Sequence, residues 1–273
     1  MEIRHPIVAG TFYPDNPDIL KKQIKGFLDN ATVEKHQLPV KALIVPHAGY
    51  IYSGPVAAYA FKLIENCSYK KIFLLGPSHN FSFDNLVSCA KGYWQTPLGE
   101  VKQLSKSDFP KLKQRKEIIE SSEIHKPEHS LEVQLPFLQT VLGDFQIFPL
   151  LTGNIIDYKK IGDILLSIYD EKTLFLISSD LSHYLSYNQA KMVDKVTIDA
   201  ILSNDIQRFN KYGDACGKTP IEILLNIANK KKWQPQLLCA MNSGETSGDI
   251  HLRQSFDGQE SQVVGYASIA YYE

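Results

Sequence analysis

Three histidines follow apolar segments that have the composition of buried β-strands. His47 follows ALIVP, His79 follows KIFLLGPS and His183 follows TLFLISSDLS. The carboxyl ends of strands in an open α/β sheet meet in one crevice, where such folds place their ligands. Imidazole is both a metal ligand and a proton carrier near neutral pH. One such histidine alone would more often be structural, but the repeated placement predicts a shared pocket with metal or acid-base chemistry.

Acidic side chains are available to complete such a pocket. A mononuclear non-haem iron site needs two histidines and one carboxylate on one face. Asp180, in ISSDLSHY, and Glu245, in the Gly/Ser-rich segment AMNSGETSGD, are both candidates for the carboxylate. Each also has a simpler interpretation, since Asp180 is well placed to cap a helix and an isolated loop glutamate is usually solvated. A further segment, KPEHSLEVQLPF, offers Glu128, His129 and Glu132 at a predicted helix start.

Several classes of protein lack their usual signatures here. The sequence contains no GxSxG elbow, no phosphate-binding glycine-rich loop and no HExxH helix, which disfavours esterase, nucleotide-dependent and zincin mechanisms. Four cysteines form no CxxC pair, which disfavours a disulfide framework and a structural zinc knuckle. The formal net charge is −1 and the basic residues are dispersed, so we expect neither nucleic-acid binding nor attachment to an anionic membrane.

Strand-like and helix-like segments alternate along the chain, which predicts an α/β fold with a central mixed sheet flanked by helices, in one layered domain over residues 1–273. The separation of His47 from His79 is about one strand-helix-strand unit, so we expect these two strands to be neighbours. The predicted strands are 42–45, 72–75, 173–178 and the tail SQVVGYASIAYY, with 86–90 and 146–151 as additional antiparallel strands. The predicted helices are 55–65, with Pro55 in its first turn, 130–142, kinked by Pro136, 158–169, 187–202 and 218–230.

The N-terminal segment and the lengths of the apolar segments indicate where in the cell the protein is expected. The N-terminal MEIRHPIVAGTFYP lacks the basic-then-apolar pattern of a signal peptide, and no apolar segment approaches the roughly 20 residues that span a bilayer. We therefore expect a soluble, cytoplasmic protein with no membrane partner.

An ordered series of motifs resembles the Memo-like family, named for a mediator of cell motility and known in microbes as AmmeMemoRadiSam system protein B. The motifs run the length of the chain: AGTFYP, PHAGYIYSGP, LGPSHN, TPLGEV, EHSLEVQLPFLQ, SSDLSHY, ACGKTPI and VVGYASIAYY. The resemblance implies a fold similar to that of the class III extradiol dioxygenases, whose iron is held by two histidines and a glutamate.

The resemblance also implies roles for individual residues. His47 and His79 match the two metal-binding histidines, and Asp180 and His183 match an acid and a histidine that line the same pocket. Animal members have a cysteine ligand near the C-terminus, and Glu245 aligns there, which would make the site more like an Fe(II) facial triad. Fe(II) is thus the expected metal, with Cu and Zn as alternatives.

The remaining pocket residues are assigned to substrate. His183, with Asp180, is expected to act as acid-base catalyst on a phenolic or other acidic substrate. Tyr50, His129 and Glu132 are expected to contact the substrate. The aromatics around Tyr50 and Tyr52 suit either stacking on a substrate or a subunit contact, and their spacing does not decide between these roles. Cys216 also matches a family motif, but a cysteine before a glycine and a helix could simply be packed.

The expected function is that of an Fe(II)-dependent, dioxygenase-like oxidoreductase. The alternative is a non-catalytic metal- or phosphopeptide-binding module that acts through protein partners, although the pocket motifs lack the arginine that a phosphopeptide site would use. A hydrolase using Ser53 or Ser182 has no nucleophile elbow to support it. The microbial family name suggests radical-SAM and Amme-type proteins as pathway partners, and this chain has no CxxxCxxC cluster motif of its own.

Overall fold

The computed structural model describes residues 2–34, 38–90, 92–155, 157–247 and 262–273. The strands within these residues are β1 (Glu2–Arg4), β2 (Val40–Val45), β3 (Lys71–Pro77), β4 (Leu86–Ser88), β5 (Gly92–Thr96), β6 (Gly99–Lys102), β7 (Ile118–Glu120), β8 (Gln146–Thr152), β9 (Thr173–Ser178), β10 (His183–Ser186), β11 (Gln234–Asn242) and β12 (Gln262–Tyr272). The α-helices are α1 (Pro17–Asn30), α2 (Tyr50–Leu63), α3 (Ser122–His125), α4 (Leu135–Val141), α5 (Tyr158–Leu166), α6 (Tyr187–Leu202), α7 (Ile206–Tyr212), α8 (Lys218–Lys231) and α9 (Ser243–Thr246). Short 3-10 helices span Lys106–Asp108, Pro110–Leu112 and Glu132–Gln134.

A large mixed sheet forms the centre of the molecule. Its strand order is β10-β12-β2-β9-β3-β8-β4-β7, and β11 pairs with the free side of β12. The inner strands β2, β9, β3 and β8 are parallel, and antiparallel pairs flank them on both sides. The predicted single α/β domain with a mixed sheet is confirmed, as is the antiparallel pairing of 86–90 with 146–151.

Side chains alternate between two cores, one on each face of this sheet. In β2, Leu43 and Val45 face one core while Ala42 and Ile44 face the other. Helices α1, α2 and α4 cover the first face, and α5, α6 and α8 cover the second. Because β2 is buried along its whole length, it has the continuous apolar composition of a strand covered on both sides.

The strand order differs from the sequence-based expectation in one respect that matters for the site. β9 lies between β2 and β3, so the strands that precede His47 and His79 are not neighbours. Ser178 at the end of β9 is paired with Val45 at the end of β2. Three strand ends, rather than two, therefore meet beneath the pocket.

Two helices begin at other residues than their sequences suggested. Helix α2 starts at Tyr50, five residues earlier than predicted, and Pro55 lies inside it. Its first residue is anchored because the Tyr50 N–H donates to the Phe12 carbonyl at 2.7 Å. Residues 130–142 do not form one kinked helix: α4 starts at Leu135, and Pro136 occupies its first turn, where a missing N–H costs little.

A small second sheet holds the N-terminus of the described chain. It has the order β1-β5-β6, with β1 parallel to β5. The long segment between β6 and α4 carries the three 3-10 helices, the short helix α3 and strand β7. Within the described residues, we find no helix whose length and hydropathy would let it cross a bilayer.

Candidate metal centre

Three potential ligand side chains meet at the carboxyl edge of the central sheet. His47 lies two residues after β2, His79 two residues after β3, and Cys216 two residues before α8. One ligand atom from each of the three lies within 4.8 Å of the others. The predicted convergence of the first two histidines at one sheet edge is therefore present in the structure.

The hydrogen bonds of His47 fix its tautomer, so that the Nε2 lone pair faces Cys216 and can bind a metal placed between them. Its Nδ1 lies 2.9 Å from the Ser178 hydroxyl. That hydroxyl donates its one proton to the Ser130 carbonyl at 2.6 Å. It must therefore accept from the imidazole Nδ1–H. The Gln134 side-chain amide also donates to Ser178, which fixes the acceptor role. Burial of the imidazole, with the nearby histidines, holds the pKa of His47 well below its usual value, so this ring is neutral.

Glu128 holds the second histidine in the same way. Its carboxylate accepts the His79 backbone N–H at 2.6 Å and lies 2.9 Å from His79 Nδ1, which leaves Nε2 as the other ring nitrogen. Burial opposes ionisation of Glu128, but the hydrogen bonds from His79 and Ser130 outweigh it and lower its pKa to about 2. The same hydrogen bond raises the pKa of His79, with burial opposing it. A carboxylate that binds the far nitrogen of a histidine is the usual support of a metal-ligating imidazole.

Cys216 supplies a sulfur next to the first histidine. Its Sγ lies 3.4 Å from His47 Nε2 and accepts the Asp180 backbone N–H at 3.3 Å. Burial, together with the negative charge of Asp180, raises the pKa of the thiol to about 12, so it carries its proton until a metal displaces it. Gly217 permits the approach: a Cβ there would lie 2.6 Å from the Ser179 side chain.

A second group of ligand atoms shares His79. It consists of His79, Glu128 and His129, again with one atom from each within 4.8 Å of the others. The rings of His79 and His129 are stacked, with centroids 4.7 Å apart. Burial lowers the pKa of His129. His129 thus lies in the wall of the centre, and its expected contact with substrate stays a prediction.

Asp180 and His183 lie beside the cluster with different partners. The Asp180 carboxylate accepts the His47 backbone N–H at 2.7 Å, and burial raises its pKa. His183 lies at the start of β10, not at the end of a buried strand, and its Nδ1 is 2.9 Å from the Leu181 carbonyl. Because a carbonyl only accepts, this Nδ1 carries the proton and Nε2 is the basic nitrogen. A positive charge on the His183 ring would lower the pKa of both Asp180 and His47, so His183 lies near these two groups.

Glu245 does not join the two histidines among the ligand groups of the described residues. One of its oxygens accepts the Asn242 N–H in the capping box of α9, at 2.9 Å. The other accepts from the Tyr187 hydroxyl at 2.9 Å and from Lys191 at 3.3 Å. The expectation that Glu245 is the carboxylate ligand is corrected accordingly, because these contacts hold its side chain against α6. The last residues of the SGETSGD motif lie outside the described residues.

Tyr50, which is expected from the sequence to contact substrate, is buried in the core. Tyr50 is 1% exposed, packs against Tyr13 and Phe137, and donates its hydroxyl proton to the Val133 carbonyl at 2.7 Å. Stacking of Tyr50 on a substrate is therefore ruled out by its burial. Tyr52, two residues later on the outer side of the same helix, is 36% exposed.

Glu132 anchors the N-terminal segment instead of facing the pocket. The buried carboxylate accepts the backbone N–H groups of Ile7 and Val8 at 3.0 Å and the Tyr13 hydroxyl at 2.7 Å. It also pairs with Arg4 at 2.7 Å. These partners contact both of its oxygens, which places Glu132 in the N-terminal anchor and corrects the predicted substrate role.

Arg4 connects this anchor to the metal centre. Its guanidinium donates to the carbonyls of His125 and Glu128 and lies 4.1 Å above the Trp94 ring. With Glu132 as its ion-pair partner, Arg4 fixes both ends of the segment that carries Glu128 and His129. No motif predicts this role of Arg4, because an isolated arginine is normally solvated.

The other support residues were only partly visible in the sequence. In the sequence, Glu128 is one of three polar residues at a predicted helix start, and Cys216 is part of the motif ACGKTPI. Their contacts join residues far apart in the chain, so spacing alone could not assign them. The one indication for Glu128 is its position directly before His129 in the segment KPEHS.

Imidazole and thiolate ligands suit Zn, Cu and Fe, so the donor set present fits the class of metal that the motifs implied.

Comparison with known proteins agrees with the motifs. The family model described as Memo-like protein matches residues 4–270. A MEMO1 family protein of Methanosarcina barkeri is 34% identical over 98% of this chain and 99% of its own length. MEMO1 family proteins of Thermoplasma acidophilum and Sulfurisphaera tokodaii are 33% and 35% identical, over 97% and 98% of this chain and 97% and 99% of their own.

Proposed function

This chain belongs to the Memo-like family, and we propose that it is a metal-dependent oxidoreductase whose ion is held by His47, His79 and Cys216. One observation supports the proposal above the others. Both imidazoles have Nδ1 hydrogen-bonded to a buried acceptor, so that Nε2 of each is left to bind an ion. Fe(II) is the proposed metal, because imidazole nitrogens accommodate iron and a site with three protein ligands leaves positions open for substrate.

The protein residues around the centre have separable roles. A bound iron ion would supply the redox chemistry. Glu128 and Ser178 hold the two imidazoles in the tautomer that ligates, and Asp180 fixes the backbone of His47. His183 is the proposed base, because its Nδ1 proton is committed to a carbonyl and Nε2 can accept a proton from an acidic substrate.

A second candidate function is favoured by Cys216. A thiolate beside two imidazoles is also a good site for Cu(I) or Zn, and in such a role the protein would bind the ion without turnover and act through partners. Radical-SAM and Amme-type proteins remain proposed pathway partners on the strength of the family name alone. Catalytic turnover distinguishes the oxidoreductase from the non-catalytic metal-binding module.

The first experiment is the metal content of untagged protein purified without oxygen. We expect close to one iron per chain in the wild type and its loss in His47→Ala. Glu245→Ala should keep its iron, because that side chain is held against α6. His5→Ala is a matched control, since His5 is exposed and contacts Gln95. Equal metal in wild type and His47→Ala would contradict the proposed site.

The second experiment addresses turnover. The oxidoreductase proposal predicts oxygen uptake by iron-loaded protein that depends on an added substrate and is absent in His47→Ala. Stoichiometric Cu(I) or Zn binding, with no oxygen uptake in a screen of catechols and small organic acids, would favour the binding module instead.

A further inference from the structure

A polar cavity borders the centre on the side of Cys216. It has a volume of about 420 Å³ and lies between the ends of β3 and β8 and the start of α8. Ser78, which directly precedes His79, and Cys216 both line it. A cavity of this size accommodates a small molecule, and its position gives that molecule access to the metal ligands.

The hydroxyl groups of the cavity differ in what they can still donate. Thr152 and Thr219 give their protons to the carbonyls of Gly76 and Gly153. Ser78 and Ser82 instead accept hydrogen bonds, from the Phe81 N–H and from the Asn154 amide. A hydroxyl that accepts retains its own proton, so both serines can donate to a ligand.

Two charged residues complete the wall. Lys218 and Glu222, one turn apart on α8, both line the cavity and are half-buried. Lys218 gives one N–H to the Asn210 carbonyl at 2.9 Å, and an ammonium has three. One Glu222 oxygen accepts from the Asn210 side-chain amide at 2.6 Å, which leaves the other oxygen as an acceptor for a donor group of the ligand. The negative charge of Glu222 disfavours a doubly charged anion.

The donors therefore suit one carboxylate, and the acceptors suit one donor group elsewhere on the same molecule. We propose that this cavity binds the substrate of the metal centre, and that the substrate is a small hydroxy- or amino-carboxylate. The inference rests on the proposed function and narrows its substrate class. A flat aromatic substrate fits this cavity less well. Among the described residues, its lining contains one aromatic side chain, Phe81, and is otherwise dominated by hydroxyl, amide and charged groups.

The test measures binding of two- to five-carbon hydroxy- and amino-carboxylates to zinc-loaded protein by ligand-observed NMR. The amides of the same acids and inorganic phosphate are the comparison probes. We expect the carboxylates to bind and the amides to bind at least about tenfold more weakly, because a charge-assisted hydrogen bond is lost. Lys218→Met should weaken carboxylate binding by about the same factor. Lys195→Met, at an exposed lysine of α6, should leave binding unchanged.

The outcomes distinguish failure of the substrate assignment from failure of the proposed metal site. Zinc content is measured on every variant, and each probe is also tested on metal-free protein. Absence of bound metal in the wild type contradicts the proposed function. With metal bound, the inference is overturned by equal binding of acids and amides, by unchanged binding in Lys218→Met, by phosphate binding more tightly than every carboxylate, or by no binding of any carboxylate.

Discussion

The carboxylate of Glu128 binds His79 twice, through Nδ1 of the ring at 2.9 Å and through the backbone N–H at 2.6 Å. The position and the orientation of one proposed metal ligand are therefore set by one buried side chain. That carboxylate is ionised at all pH values where the protein is expected to work, since its pKa is lowered to about 2.

Substitution of Glu128 should weaken metal binding although Glu128 is not one of the three proposed ligands. Glu128→Gln keeps one acceptor oxygen, for only one of the two His79 N–H groups, and replaces the other oxygen and the charge by a donor NH2. We expect metal affinity to fall by about 10- to 100-fold. Glu128→Ala should cost more, because both contacts are lost. Competition titration with a chelator measures the affinity, and Glu123→Gln, at an exposed position of α3, is the control. Wild-type affinity in Glu128→Ala would contradict the role given to this carboxylate.

Loss of Arg4 should destabilise the fold and loosen the centre together. Removal of one partner from a buried ion pair leaves the other uncompensated, so Arg4→Met should lower the free energy of unfolding by about 3–5 kcal/mol. Urea unfolding measures this value. Arg208→Met, in a partly exposed pair with Asp199 at 3.8 Å, should change stability by less than about 1 kcal/mol. Equal effects of the two substitutions would show that Arg4 is not an anchor.

Much of this architecture was predictable because it depends on local patterns. Helix α6 spans Tyr187–Leu202 as its periodicity suggested, and its start is fixed by a capping box between Ser186 and Gln189. The buried strands were recognisable from short apolar segments bounded by Gly, Pro or Ser. Such features are determined by residues within a few positions of one another.

The site was less predictable, because its decisive contacts are long-range. Nothing in the spacing of His47 and His79 shows that β9 enters between their strands. Glu245 looked like a ligand by alignment, yet Tyr187 and Lys191, on a helix far away in sequence, hold its carboxylate. The sequence predicts that Tyr50 contacts substrate, but α2 starts at this residue and the ring is buried in the core.

His125 should make the protein less stable in acid. It is fully buried, and because a carbonyl only accepts, its ring donates from Nε2 to the Val87 carbonyl; burial lowers its pKa to about 4. The unfolded chain protonates this residue near pH 6.5, so stability is full above that pH and falls as the pH drops towards 4, by about 3 kcal/mol. His125→Gln retains a donor and should flatten that part of the curve.

Urea unfolding at a series of pH values between 4 and 7.5 tests this expectation. His5→Gln is the control and should keep the wild-type pH dependence, because His5 lies at the surface and is not buried on folding. An identical slope for wild type and His125→Gln would mean that other groups cause the loss of stability.

X-ray absorption spectroscopy of zinc-loaded protein tests the central claim most directly, because it reports the atoms that bind the ion. Ligation by His47, His79 and Cys216 predicts nitrogen scatterers at about 2.0 Å and one sulfur at about 2.3 Å. The sulfur should disappear in Cys216→Ser and persist in Cys239→Ser. A wild-type spectrum fitted by nitrogen and oxygen alone, or a sulfur that remains in Cys216→Ser, would contradict the proposed centre.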